Sequence, residues 1–290
     1  MTMTWSDALI AWRQEMLAGG MSTETIKLYM YYLRRWERVC AHPQSATRNA
    51  LVAFQACERW APNTRKSVRT ALVSFYTWMY DEKLLPPNPD GTPAENPAGR
   101  LPAVSVPTPE PRPATDEAIS EGLLRASVRV WLMIMLGAIG GLRRAEISRV
   151  HRSDLDGNRL RVHGKGGRIR TIDLPDIIAE RIREAEGWVF PVVDIRHPAF
   201  WGRHLTPDYV GKLITRALPK DVTPHQLRHA AATQLHELGV PLEEIQIFLG
   251  HKQITTTMLY TKVRPKYTTA ATLKAAARFA GPRIVHSRSA

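Results

Sequence analysis

Apolar residues recur at three- and four-residue intervals through the first eighty-five positions, and the stripes predict four helices. Leu9, Trp12 and Met16 mark the first, opened by Thr4 or Ser6 and stopped by Gly19-Gly20; Ile26, Tyr29, Leu33 and Trp36 mark the second, opened by Ser22 or Thr23. A third is expected from about Ser45 to Arg59, and a fourth after Pro62 and Asn63 with Val68, Leu72, Phe75 and Met79 on one stripe. Between Pro86 and Pro113 the periodicity vanishes and ten of the twenty-one prolines gather. Proline removes backbone donors and favours extended chain, so this segment is expected to be a semi-rigid strap between domains.

Helical spacing resumes over Thr115 to Ala126 and Ser127 to Ile139, followed by a short helix from Arg144 to Val150. Two alternating runs, Leu160 to His163 and Arg168 to Leu174, flank Gly164-Lys165-Gly166-Gly167 and predict a hairpin. Further helices are expected over Asp176 to Glu184, Thr206 to Leu218, Pro224 to Leu238, Leu242 to Leu249 and Ile254 to Thr261. The fold class is therefore mainly α with a small antiparallel β-sheet. It divides into a helical domain over 1–85, a linker over 86–113, a second domain over 114–262 and a basic tail over 263–290.

Composition narrows the function. A chain of 290 residues, 44% hydrophobic, is long enough for a sizeable core. Its longest apolar run, Val130 to Leu142, holds three glycines and falls short of the roughly twenty residues that a membrane span needs, so it reads as a buried helix. The opening MTMTWSDAL resembles neither a secretion signal nor a transit peptide, which makes the cytoplasm the expected location and leaves the membrane out. Cys40 and Cys57 read as small buried hydrophobes, and no Cys/His cluster has zinc spacing.

Charge adds a partner. The net charge is +13, with twenty-seven Lys or Arg against seventeen acids over residues 114–290 and no acid at all from Thr261 to Ala290. Such an excess suits a polyanion. The polar faces of two N-terminal helices are basic as well: Lys27, Arg34, Arg35 and Arg38 on the second, Arg65, Lys66 and Arg69 on the fourth. These seven are candidate DNA contacts.

Six residues further along carry the candidate chemistry. Arg143 in GLRRAEI opens a short helix, with Glu146 three residues on and able to buttress it. Lys165 sits at the hairpin tip, where it can protonate a leaving 5′ oxygen. His225 and Arg228, spaced i, i+3 after Thr223-Pro224, share a helix face; the histidine can accept a proton or hydrogen-bond a phosphate, and Arg228 completes a two-arginine clamp. His225 and His229 have the spacing of a metal pair but lack a third ligand, so no metal is assigned. His251 follows the helix stop Leu249-Gly250, and Tyr260 lies nine residues later on a Thr-rich segment, a phenol beside a phosphate cradle.

GLRRAEI, GKGGRIR, LRHAAAT and LGHKQITTTMLY, in this order, resemble the tyrosine recombinase family, the integrases of phages and mobile elements and the chromosome-dimer resolvases. The resemblance spans essentially the whole chain. It implies a SAM-like four-helix core-binding domain and a catalytic domain that close as a C-shaped clamp on duplex DNA. The catalytic set would be Arg143, Lys165, His225, Arg228, His251 and Tyr260, with Glu146 as accessory acid. It further implies a 3′-phosphotyrosyl intermediate, a Holliday junction, and no metal or nucleotide cofactor. The implied partners are double-stranded core sites, a homotetramer assembled on DNA from a protein monomeric in solution, and an accessory directionality factor, all in a bacterial cytoplasm near the nucleoid.

Three local features qualify the likeness. The first helix starts almost at once, which implies a simple recombinase without an arm-binding domain. Lys252 and Gln253 stand where many relatives have small polar residues, and Thr272 to Phe279, with Leu273, Ala276 and Ala277, corresponds to an element that docks on a neighbouring protomer. Two other functions share the cradle: type IB topoisomerase-like cleavage without synapsis, and a DNA-binding regulator that has lost catalysis. The separate N-terminal domain disfavours the first and the intact side-chain set the second.

Overall fold

In a computed structural model, residues 3–88, 91–107, 112–164, 166–193, 201–250 and 266–279 are described. The chain forms two compact units, Met1–Pro109 and Glu110–Ala290.

The first unit contains α1 (Trp5–Ala18), α2 (Thr23–Glu37), α3 (Arg48–Gln55) and α4 (Pro62–Asp81). Side chains cap three of them: Thr4 accepts from the Asp7 backbone N–H, Ser22 from Thr25 and Thr47 from Ala50. The Thr47 cap explains why α3 starts later than its apolar pattern suggests; it also ends earlier, at Gln55. Pro43–Ser45 forms a separate 3-10 turn, and Thr47 restarts the helix one residue before Arg48. Aromatic rings fill the core. Trp12 meets Phe75 edge-on at 5.2 Å, Trp5 stacks on the same ring at 5.6 Å, and the Trp36 indole N–H donates to Tyr76 Oη at 2.8 Å.

Part of the proline-rich segment belongs to this unit. Ala98 and Leu101 are buried in its core. Arg69 donates through Nε and Nη2 to the Leu101 carbonyl at 3.2 and 3.1 Å, Gln55 Nε2 to Pro102 at 2.9 Å, and Asn96 Nδ2 to Thr77 Oγ1 at 3.2 Å. A segment poor in backbone donors is held through its carbonyls.

The second unit is built around α6 (Val128–Ala138), buried without a break from Leu132 to Ala138, with α5 (Asp116–Arg125) and α10 (Pro224–Glu237) against it. A three-stranded antiparallel sheet, order β1-β2-β3, joins Leu155–Asp156, Arg159–His163 and Ile169–Asp173. Val162 pairs with Arg170 and Leu160 with Ile172. The third strand, β1, is an addition to the expected hairpin: its two residues are too few to show any period. Around these lie α7 (Arg144–Ser148), α8 (Asp176–Arg183), α9 (Pro207–Ala217), α11 (Leu242–Leu249) and α12 (Lys266–Ala277). Helix α12 starts before the expected docking element, and Ala271, Ala275 and Ala276 are buried in the core of their own unit. Arg278 pairs with Asp116 at 3.4 Å and Glu237 at 3.5 Å. The expected helix from Ile254 to Thr261 lies outside the described residues.

Among the described residues no helix is long and apolar enough to cross a membrane. Leu101→Ala is expected to lower the unfolding free energy by about 2–5 kcal/mol, the usual range for a buried leucine. Urea denaturation followed by tryptophan fluorescence checks this, and an unchanged midpoint would show that the strap is not seated on the first core.

Candidate active site

The turn that delivers Arg143 is set by close packing. Gly141 has φ +62, and a Cβ there would lie 2.7 Å from Leu249 Cδ2 and 3.0 Å from Phe248 Cε1. Only glycine lets the end of α11 lie directly on this turn. Arg143 follows two residues later as the N-cap of α7, and the Glu146 carboxylate reaches back to accept from the Arg143 backbone N–H at 3.0 Å. The Arg143 guanidinium also donates through Nη1 to Glu146 Oε1 at 2.8 Å, yet its side chain stays 40% exposed.

Arg228 comes from a second helix, in the second turn of α10. The Thr223 backbone N–H donates to Gln226 Oε1 at 2.7 Å and Pro224 occupies the first turn, so the helix start is fixed by local chemistry. Arg228 is 3% exposed. Its Nη1 donates to the Gly141 carbonyl at 2.6 Å and its Nη2 to the Leu249 carbonyl. Arg143 lies 3.5 Å from the Leu249 and Gly250 carbonyls. Both arginines therefore face the C-terminal end of α11, whose unpaired carbonyls favour cations.

Glu146 is the buried counter-ion of the cluster, its side chain 3% exposed. Arg170 forks onto it, Nη1 to Oε1 at 3.0 Å and Nη2 to Oε2 at 2.8 Å, and Arg228 Nη1 lies 3.7 Å from Oε2. Burial by itself would push the carboxyl up; the Arg170 fork, followed by the Arg143 backbone and side chain, outweighs it and holds the group below the ordinary carboxylate range. For Arg228, burial first and the Arg143 charge second pull the guanidinium down to about 9, still protonated at neutral pH. His225 is exposed at the rim, with the His229 ring edge-on at 4.4 Å. Partial burial of the ring, then the charges of His229, Arg228 and Arg143, lower its pKa, which favours the neutral ring.

Four of the seven expected site residues, Arg143, Glu146, His225 and Arg228, are thus described in one region of the second unit. Lys165, His251 and Tyr260 lie outside the described residues. Arg170 was not among the expected residues. Its signal was phase: it lies two residues before Ile172 and four before Leu174, both buried, so strand alternation turns it inward, where a cation needs a partner.

On the first unit, Arg13, Lys27, Arg34, Arg35 and Arg38 line a cavity of about 580 Å³ along α1 and α2. Arg35 donates to Tyr31 Oη at 2.8 Å, with its guanidinium carbon 5.6 Å from the centres of the Tyr31 and Trp60 rings. Lys27 pairs with Glu24 at 3.0 Å, and Lys66 is exposed. Arg65 and Arg69 spend their guanidiniums on backbone carbonyls, Arg65 on Cys57 at 3.3 Å and Arg69 on Leu101. Among the described residues no group of three His, Cys, Asp or Glu side chains is placed to hold a metal ion.

Residues 117–266 match the phage integrase family. The chain is 29% identical over 262 residues to tyrosine recombinase XerA of Thermococcus onnurineus, covering 84% of this chain and 86% of that one. It is equally identical over 272 residues to tyrosine recombinase XerC of Myxococcus xanthus, covering 84% and 88%. Its fold is like that of lambda integrase residues 75–356, solved as a dimer bound to a COC' core site, with a TM-score of 0.67 at 18% identity over 90% of this chain and 99% of that one. The chain belongs to the phage integrase family and is a tyrosine-type site-specific recombinase.

Proposed function

We propose that this recombinase cuts and rejoins duplex DNA at core sites through a covalent bond to Tyr260, as an integrase of a phage or other mobile element. One observation carries the reading. Arg143, Arg170 and Arg228 gather on the single buried carboxylate of Glu146, so three positive charges meet one negative charge. The surplus suits a scissile phosphodiester, whose one negative charge grows as a fifth oxygen approaches phosphorus.

Arg143 and Arg228 clamp the non-bridging oxygens. The Tyr260 phenol attacks phosphorus as neutral His225 takes its proton, and Lys165 gives a proton to the departing 5′ oxygen. His251 hydrogen-bonds the phosphate. The products are a 3′-phosphotyrosyl bond and a free 5′-hydroxyl, and attack by a 5′-hydroxyl from the partner strand reverses the chemistry on a new junction. Lys165, His251 and Tyr260 take these roles from their sequence motifs. The phosphodiester energy is conserved in the tyrosyl ester, so no metal or nucleotide is required. Strand exchange passes through a Holliday junction held by four protomers, by analogy with the lambda integrase tetramer bound to a Holliday junction. The basic cavity on α1 and α2 supplies backbone contacts to the core site.

The test is a nicked duplex carrying a core site selected by the protein from a random-sequence pool, with the covalent adduct read on a denaturing gel. Wild type forms the adduct, and Tyr260→Phe shifts the duplex but forms none; an adduct that survives the substitution would place the nucleophile elsewhere. A wild type that binds without ever forming adduct would leave a regulator.

The rate of adduct formation is expected to fall as the pH is lowered from 7, as His225 gains a proton. Because its pKa is lowered, the inflection lies below about 6.5, the ordinary imidazole value. A fall centred above that value, or one retained in His225→Gln, would remove the histidine from the proton path.

Glu146→Ala is expected to cost about 3–5 kcal/mol of stability at pH 7 by stranding buried cations. The carboxyl is held low in the folded protein, so its contribution is fully present above the unfolded value and fades as pH falls through the folded one. Urea titrations at pH 7 and near pH 3 should therefore show a smaller difference between variant and wild type at the lower pH.

A further inference from the structure

We propose that Arg170 is a positioning residue of the recombination reaction: it fixes Glu146, and with it Arg143 and Arg228, and it braces the turn at Gly250. This rests on the phosphate-clamp reading above.

Arg170 does not reach for substrate. Its side chain is 11% exposed, both of its Nη atoms are committed to Glu146 at 3.0 and 2.8 Å, and its Nε is buried with no hydrogen-bond partner among the described residues. What it controls is the geometry of others. Glu146 Oε1, which takes Arg170 Nη1, also takes Arg143 Nη1 at 2.8 Å. Oε2, which takes Arg170 Nη2, also takes the Arg143 backbone N–H at 3.0 Å and faces Arg228 at 3.7 Å. A carboxylate gripped at both oxygens by a planar fork cannot rotate, so both clamp arginines meet an anion of fixed orientation.

The second contact is with α11. A Cβ on Gly250 would lie 3.3 Å from both Cδ and Nη1 of Arg170, so the arginine stem lies under the turn. Gly250 has φ +66, a conformation that glycine adopts without strain. The carbonyls at this helix end are those that Arg143 and Arg228 face. One side chain on β3 thus sets both surfaces between which the clamp is held. As a stability device the arrangement is poor, since crowding three cations on one carboxylate adds repulsion to desolvation. As a preformed seat for an anion it is well suited.

Arg170→Lys tests this, because it keeps the charge and loses the fork. Single-turnover adduct rates, enzyme in excess, would be measured on the nicked core-site duplex and on the same duplex with a methylphosphonate at the scissile position. The methyl group removes one negative charge from the reacting phosphate, so the neutral ester depends less on where the arginines stand. On the phosphodiester the variant is expected to lose between about tenfold and a hundredfold in rate, the scale of misplacing a reacting or charge-bearing group by about 1 Å, with duplex affinity held within about threefold. On the methylphosphonate the loss shrinks severalfold. The ratio of the two rates does not depend on the active fraction, so partial unfolding does not blur it. Arg170→Gln, neutral and two atoms shorter, removes both the charge and the fork and is the second variant, with the same expectation.

An undiminished rate, or an equal loss on both substrates, would overturn the proposal and mark Arg170 as ordinary packing. A wild type that forms no adduct on either duplex would sink the parent reading and this inference with it, whereas an active wild type beside an equally active Arg170→Lys sinks this inference alone.

Discussion

A single buried carboxylate organises the second unit. Glu146 joins the start of α7 to β3 through Arg170, and Arg228 brings α10 within 3.7 Å of it. Each of the three guanidiniums is costly to bury alone and repels the other two. They are tolerated together because Glu146, the carbonyl of Gly141 and the open end of α11 supply negative potential from three directions. The apolar packing of α6 and the closeness of Gly141 to Phe248 and Leu249 exist in the same small volume, so the electrostatic cluster and the hydrophobic core constrain each other.

Charge balance separates the two parts of the molecule. On α1 and α2 the cations line an open cavity with Leu17, Ile26, Met30 and Tyr31 among them, a surface that can follow a polyanion without a single fixed geometry. Around Glu146 the cations are few, partly or wholly buried, and held by named partners. The first arrangement suits affinity that depends on salt, and the second suits the orientation of one phosphate.

Much of this is legible in the order of the residues alone. The stripe of Leu9, Trp12 and Met16 between Thr4 and Gly19 marks α1 closely, and the alternation of Leu160 and Val162 marks β2. The motifs also bring Arg143, Glu146, His225 and Arg228 to one region. What escaped were features whose cause is non-local or too short to repeat. Strand β1 has too few residues to show a period, and the start of α3 is decided by a Thr47 cap inside a longer apolar pattern. Arg65 and Arg69 lie on a face that looks like solvent until Cys57 and Leu101 present carbonyls to it. Arg170 was hidden because a hydrophobic pattern leaves charged residues out, although its phase with Ile172 and Leu174 pointed inward.

The two arginines of the proposed clamp are not equivalent. Arg228 is sunk in the protein and tied to two carbonyls, whereas Arg143 is 40% exposed and holds the α11 carbonyls only at 3.5 Å. One is held by backbone carbonyls inside the protein, and the other is held by Glu146 at its inner edge and open to solvent at its outer one. A genetic screen for soluble, folded protein would therefore be more sensitive to Arg228 than to Arg143. On the proposed mechanism, substitutions that disable the chemistry can leave little trace in the protein's abundance.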